Sequence, residues 1–153
     1  MSARERAPRL PVVPGGAPEP GRAPEAPADA SRVDLRDEHL HALLVAFYDE
    51  VGRDAMLAPY FAPVDMTAHM PRIVDFWSTI LFHTGRYSGN AFRPHAEMPG
   101  LTGAHFGRWL SVLERVVDAR FAGQAADRLK DVAHRVAFSM QIRLGIAPFA
   151  ASV

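Results

Sequence analysis

Cysteine is absent from all 153 residues. That removes disulfide frameworks, zinc–thiolate sites, thiol nucleophiles and cysteine-ligated iron–sulfur clusters together. A surplus of charge of one sign is missing too: 17 Lys and Arg balance 17 Asp and Glu, whereas a dedicated nucleic-acid binder carries a basic face. No uninterrupted apolar run approaches the ~18 residues of a membrane span, and no signal-peptide core follows the N-terminal charges. The expected compartment is the cytoplasm, with neither nucleic acid nor membrane as a partner. Familiar catalytic motifs are lacking as well: there is no G-x-x-x-x-G-K-[ST] loop, no H-E-x-x-H and no G-x-S-x-G. The histidines, at His39, His41, His69, His83, His95, His105 and His134, are too scattered for a metal pair. A di-iron bundle needs Glu-x-x-His facing inward, but Glu38 lies next to His39, and Glu97 follows His95 by two residues. Redox chemistry, if present, has to come from a bound cofactor.

What is there divides unevenly. Residues 1–33 hold seven of the 13 prolines, all between Pro8 and Pro27, with Gly15, Gly16 and Gly21 among them. Proline blocks both helix and strand ladder, and the one apolar run, Leu10 to Val13, cannot offset the entropy of ordering such a segment. The expectation is a disordered, partly polyproline-like extension. The remainder, an expected domain over residues 34–147 followed by a tail over 148–153, is long enough for one core.

From Val33 onward the apolar spacing is helical. Leu40, Leu43, Leu44, Phe47 and Val51 mark a first helix, with Asp34, Asp37 and Glu38 in its first turn and Gly52 at its end. A turn from Arg53 to Leu57 leads to Pro59, Tyr60 and Phe61. A second helix is predicted over about 65–82, a third over about 102–121 and a fourth over about 123–144, capped by Gly145. Pro71 predicts that the second helix starts or kinks there, turning His69 toward solvent. The stretch from Thr84 to Gly103 holds Gly85, Gly89, Pro94, Pro99 and Gly100 and reads as loop, with at most a turn or two of helix around His95. A bundle prefers connections of about 2–8 residues, so a loop near twenty suggests a ligand site between two helix pairs.

Taken singly, the polar residues beside the apolar stripes are unremarkable. Tyr48, His69 and Trp109 each read as ordinary core or its edge, and His95 as surface. Their order along the chain is more specific: Phe47–Tyr48, Pro59–Tyr60–Phe61, His69, Phe76–Trp77, Tyr87–Ser88–Gly89, His95, then Phe106 and Trp109. This series resembles the truncated haemoglobins, and within them group III, over roughly residues 34–144. The glycine pairs that mark helix ends in the other groups are missing, which fits group III.

The resemblance implies an all-α fold: a truncated globin-like 2-over-2 helical sandwich around a haem pocket. It implies haem b as cofactor, with His95 ligating the iron and His105 as the rival ligand. Tyr48, His69 and Trp109 match the polar distal trio, which would stabilise a bound ligand. Ile73 matches the apolar residue facing the iron. Phe47, Phe61 and Phe106 match aromatics around the ring, and Arg72 and Tyr87 match partners of the haem propionates. The implied ligands are the diatomic gases O2, NO and CO, together with peroxide. Nitric-oxide dioxygenase-like or peroxidase-like activity, with an unidentified electron donor, stands ahead of oxygen carriage. The alternatives are a reversible oxygen-binding sensor or store, and a haem-free helical interaction module.

Overall fold

The computed structural model describes residues 32–147. The proline-rich extension expected over residues 1–33 lies outside them except for its last two residues, and the tail over 148–153 lies outside them entirely. Among the described residues there are six α-helices and no strand: α1 Leu40–Arg53, α2 Ala58–Phe61, α3 Met66–Phe82, α4 Phe92–Ala96, α5 Gly103–Asp118 and α6 Gln124–Arg143. The four long helices are those predicted from the apolar spacing. A 3₁₀ turn, Asp37–His39, precedes α1. Gly52 does not end α1, which runs one residue further to Arg53. Gly145, at φ 69°, does close α6, as the residue beyond a helix C-terminus commonly does.

The starts of α3 and α5 have local causes. Asp65 ends the turn after α2 and accepts the backbone N–H of Ala68 at 3.2 Å, capping α3. Pro71 is thereby carried inside α3, because the helix begins five residues before it and runs on to Phe82. The expected start at Pro71 is not seen. At α5 the backbone N–H of Thr102 donates to His105 Nδ1 at 3.1 Å, a capping box with histidine in the acceptor role.

Asp34 is not a first-turn acid of α1. Its carboxylate instead crosses to the far end of the domain, where it accepts the N–H groups of Ala125 and Ala126 at 3.0–3.1 Å. It therefore caps α6 from 91 residues away, against the positive end of the helix dipole. Gly123 makes the approach possible: a Cβ there would fall 2.5 Å from Asp34 Cγ. Desolvation disfavours the charged form, but the donated N–H groups of Ala125, Ala126 and Leu35 outweigh it and lower the Asp34 pKa. A depressed carboxylate pKa adds stability that is present above its unfolded value, near 3.8, and is lost as the pH falls through the folded one. Asp34→Ala should cost about 1 kcal/mol at pH 7. Thermal melts should show the deficit shrinking below pH 4. An equal deficit at pH 3 and pH 7 would contradict the capping role.

The helices pack as two crossed pairs. α1 lies on α3, α5 lies on α6, and the two pairs meet where α1 crosses α5 and α3 crosses α6. Leu40, Leu43, Leu44, Phe47 and Val51 of α1 are almost wholly buried against Trp77 and Leu81 of α3 and Val112, Leu113, Val116 and Val117 of α5. The core is therefore centred on α1, and the α3–α6 end is left less filled. Chain between α3 and α5 borders that end, pinned by Tyr87, whose N–H donates to Thr79 Oγ1 at 2.9 Å. Arg86 holds the same segment through Asp37, Asp75 and the fully buried Ser78.

Candidate functional site

Where the core stops, a cavity of about 530 Å3 opens between α3, α4, α5 and α6, with Tyr48 of α1 and Tyr60 and Phe61 of α2 on its wall. This is the size range of small-molecule and cofactor sites. Of the eleven residues singled out in the sequence, ten line it: Tyr48, Phe61, His69, Arg72, Ile73, Tyr87, His95, His105, Phe106 and Trp109. Phe47 does not. It is fully buried behind the wall, its ring 4.7 Å from that of Tyr48 and 5.6 Å from that of Trp109. Its place is a support for those two rings, since residues one apart on a helix point in different directions.

His95 enters the cavity on α4, a single short turn that ends at Ala96. Its Nδ1 is 2.8 Å from the carbonyl oxygen of Ala91, one turn earlier. A carbonyl can only accept, so Nδ1 carries the proton and Nε2 keeps its lone pair. An imidazole prepared this way is ready to ligate a metal. His105 also borders the cavity but has the reverse arrangement. Its Nδ1 accepts from the Thr102 N–H, so in the neutral ring the proton sits on Nε2, and no lone pair is left for a metal. The ring is further held edge-on to Tyr60, centroids 5.2 Å apart. The capping box thus separates the two histidines that sequence alone left as rivals.

Tyr48 and Trp109 stand together on the wall, and Phe61 packs 5.5 Å from the Tyr48 ring. Burial pushes the Tyr48 phenol up to about 12, a rise that hydrogen bonding with the Trp109 side chain only partly offsets. The hydroxyl therefore keeps its proton, and its capacity to donate, throughout the neutral and mildly alkaline range. His69 lies on the first turns of α3, exposed at the cavity rim. Arg72 and Tyr87 converge beside Gly89, where a Cβ would come within 2.8 Å of Arg72 Nη2 and 3.1 Å of Tyr87 Oη. They bring a cation and a phenol to one edge of an otherwise apolar space.

Some lining residues carried no sequence signal. Val136 and Met140 belong to the apolar stripe of α6, which faces the core at one end and the cavity at the other, and periodicity does not tell the two apart. Tyr60 counted only as punctuation after Pro59. Its hydroxyl donates to the Pro99 carbonyl at 2.9 Å and ties α2 to the segment between α4 and α5. Among the described residues there is no cluster of three or more His, Asp or Glu side chains that could hold a metal ion, and no helix long and apolar enough to cross a membrane.

No family model matches the chain. The chain is 27% identical over 86 residues to the group 3 truncated hemoglobin ctb of Campylobacter jejuni, a match that covers 52% of this chain and 68% of that protein. The crystal structure of the group III truncated hemoglobin from Campylobacter jejuni superimposes with a TM-score of 0.66 at 24% identity, over 72% of this chain and 91% of that one. The chain has the fold of the truncated haemoglobins and is similar in sequence to their group III.

Proposed function

We propose that the cavity holds a haem, haem b, with Nε2 of His95 as its axial ligand, and that the protein binds O2 and other diatomic gases there. The observation that carries this reading is the pair of opposite histidine tautomers. One imidazole on the cavity wall has a free lone pair and a fixed ring, and the other has spent its acceptor on a helix cap. The remaining walls suit the group. Phe61, Ile73 and Phe106 offer apolar surface to a flat macrocycle, and Arg72 with Tyr87 offers donors to its carboxylates. The relatives named above supply the same expectation from sequence and fold.

Haem iron held by one imidazole supplies an open sixth position and a change of oxidation state. The chain's own part is the polarity of the space around that position. The Tyr48 hydroxyl is a donor in a water-poor, apolar enclosure, suited to an oxygen atom carrying partial negative charge, and the Trp109 N–H, given to the Tyr48 oxygen, leaves that hydroxyl's own proton to be donated. His69, at the rim, is placed to meet a ligand as it enters. Retention of oxygen by such a donor would make a poor carrier, so nitric-oxide or peroxide chemistry, fed by an electron donor of unidentified nature, is the favoured use.

Absorption spectra of the purified protein titrated with haemin test the reading. An intense band at the blue edge of the visible, shifting on reduction and again on adding CO, is the expected result. Failure to take up haemin would leave a helical interaction module. A haem spectrum with no turnover of nitric oxide or peroxide in steady-state assays would leave a reversible oxygen sensor or store.

A further inference from the structure

A second, shallower groove adjoins the cavity between the segment that carries Tyr87 to Phe92 and α6, with a volume of about 570 Å3. Its floor is apolar, made by Phe76, Ile80, Val132 and Val136. Its rim is a row of three polar residues on α6: Arg135, Ser139 and Arg143. Residues four apart stand on one helix face, so the two guanidinium groups spring from anchors about 12 Å apart along the axis. No carboxylate lines the groove. Other arginines of the domain do have acidic partners: Arg86 meets Asp37 and Asp75, Arg108 meets Asp54, and Arg115 meets Glu50. Arg143 is instead laid over the Phe92 ring at 3.9 Å, which fixes the guanidinium plane while leaving its edge donors free.

We propose that this groove binds a small amphipathic anion, a carboxylate or phosphate monoester on an apolar body. The anion would lie between Arg135 and Arg143, and its body would lie over Ile80, Val132 and Val136. Two like charges facing one groove without a counter-charge are complementary to such a head group, and charge-assisted bonds to guanidinium are among the stronger polar contacts. An apolar floor directly beneath them selects a ligand with a tail over a bare inorganic ion. The groove is formed by this chain alone and does not depend on the cavity holding haem. It adjoins that cavity and shares Phe76, Tyr87, Asn90, Ala91, Val136 and Met140 with it, and the Ala91 carbonyl fixes the His95 ring.

The test is calorimetric titration of the full chain, with haem loaded so that the large cavity cannot take the probe. The probes are dodecanoate, dodecyl phosphate, dodecanol and inorganic phosphate, each below its micellar or solubility limit. Both amphipathic anions should bind saturably with one site per chain, and dodecanol and inorganic phosphate at least about tenfold more weakly. Arg135→Gln with Arg143→Gln should weaken the anions by about tenfold or more. Ser139→Glu should abolish their binding by placing a carboxylate between the two cations. All three positions are solvent-exposed, so circular dichroism should be unchanged. No saturable binding of either anion, equal binding by the arginine double variant, or equal affinity for dodecanol would overturn the proposal. If the chain takes up no haemin, the same titrations on the purified chain remain decisive through the three substitutions.

Discussion

His95→Ala is expected to lose haem affinity by more than the ~10–100-fold that follows when a metal ligand merely loses its hydrogen-bond partner. Deleting the imidazole removes the lone pair that the Ala91 carbonyl holds in a fixed orientation on the cavity wall, and the aromatic walls that remain supply contact without coordination. His105→Ala makes the comparison sharp. It breaks the cap at the start of α5 and should lower stability by about 0.5–2 kcal/mol, yet the haem spectrum should survive. Haemin titration followed by absorption reads both, with a thermal melt alongside to register the capping loss. His95→Gly with added imidazole separates a missing ligand from a damaged fold: a free ring entering the gap should restore the spectrum. The assignment fails if His95→Ala keeps its haem while His105→Ala loses it, or if imidazole restores nothing in a folded His95→Gly protein.

That experiment turns on a distinction the sequence could not make. Both histidines sit near aromatics and both border the cavity. Which one offers a lone pair depends on a backbone carbonyl at Ala91 and a backbone N–H at Thr102, and backbone groups leave no residue-type signature. The helices were legible because burial on one face leaves a 3.6-residue spacing: Leu40, Leu43, Leu44, Phe47 and Val51 are all buried on α1 as that spacing required. Asp34 shows where local reading stops. An acidic residue shortly before a helix looks like that helix's own first-turn charge, but the partner of Asp34 is α6, whose start lies against it only after folding. Pro71 misleads for a related reason: the Asp65 cap sets the beginning of α3 and outweighs the local preference of the residue before proline. Phe47 sits at the right point of the motif and on the buried face, and adjacency to Tyr48 placed it one layer too near the cavity. The groove beside α6 was out of reach altogether, because Arg135, Ser139 and Arg143 form no motif in sequence and come together with Phe92 only after folding.

Tyr48→Phe should speed the release of O2 by about 10–100-fold, the largest effect expected from any change that leaves the haem in place. A hydrogen bond to a charged acceptor contributes roughly 1.5–3 kcal/mol in such a setting, and each 1.4 kcal/mol is a factor of ten. The substitution keeps the ring that packs against Phe47 and Phe61 and removes only the hydroxyl, so the walls should not collapse. Because burial holds the phenol near 12, the wild-type rate should stay flat between pH 6 and pH 10, with the donor neutral throughout. Trp109→Phe should give a smaller change in the same direction, since the indole N–H, bonded to the Tyr48 oxygen, orients the hydroxyl, and the double variant should depart from additivity because the two side chains interact. Stopped-flow displacement of O2 by CO measures all of these. A slow wild-type rate that Tyr48→Phe raises is what ligand retention requires, and retention is what favours chemistry on the bound gas over carriage. A rate already fast in the wild type, and indifferent to the hydroxyl, would make reversible binding the function and leave Tyr48 as packing.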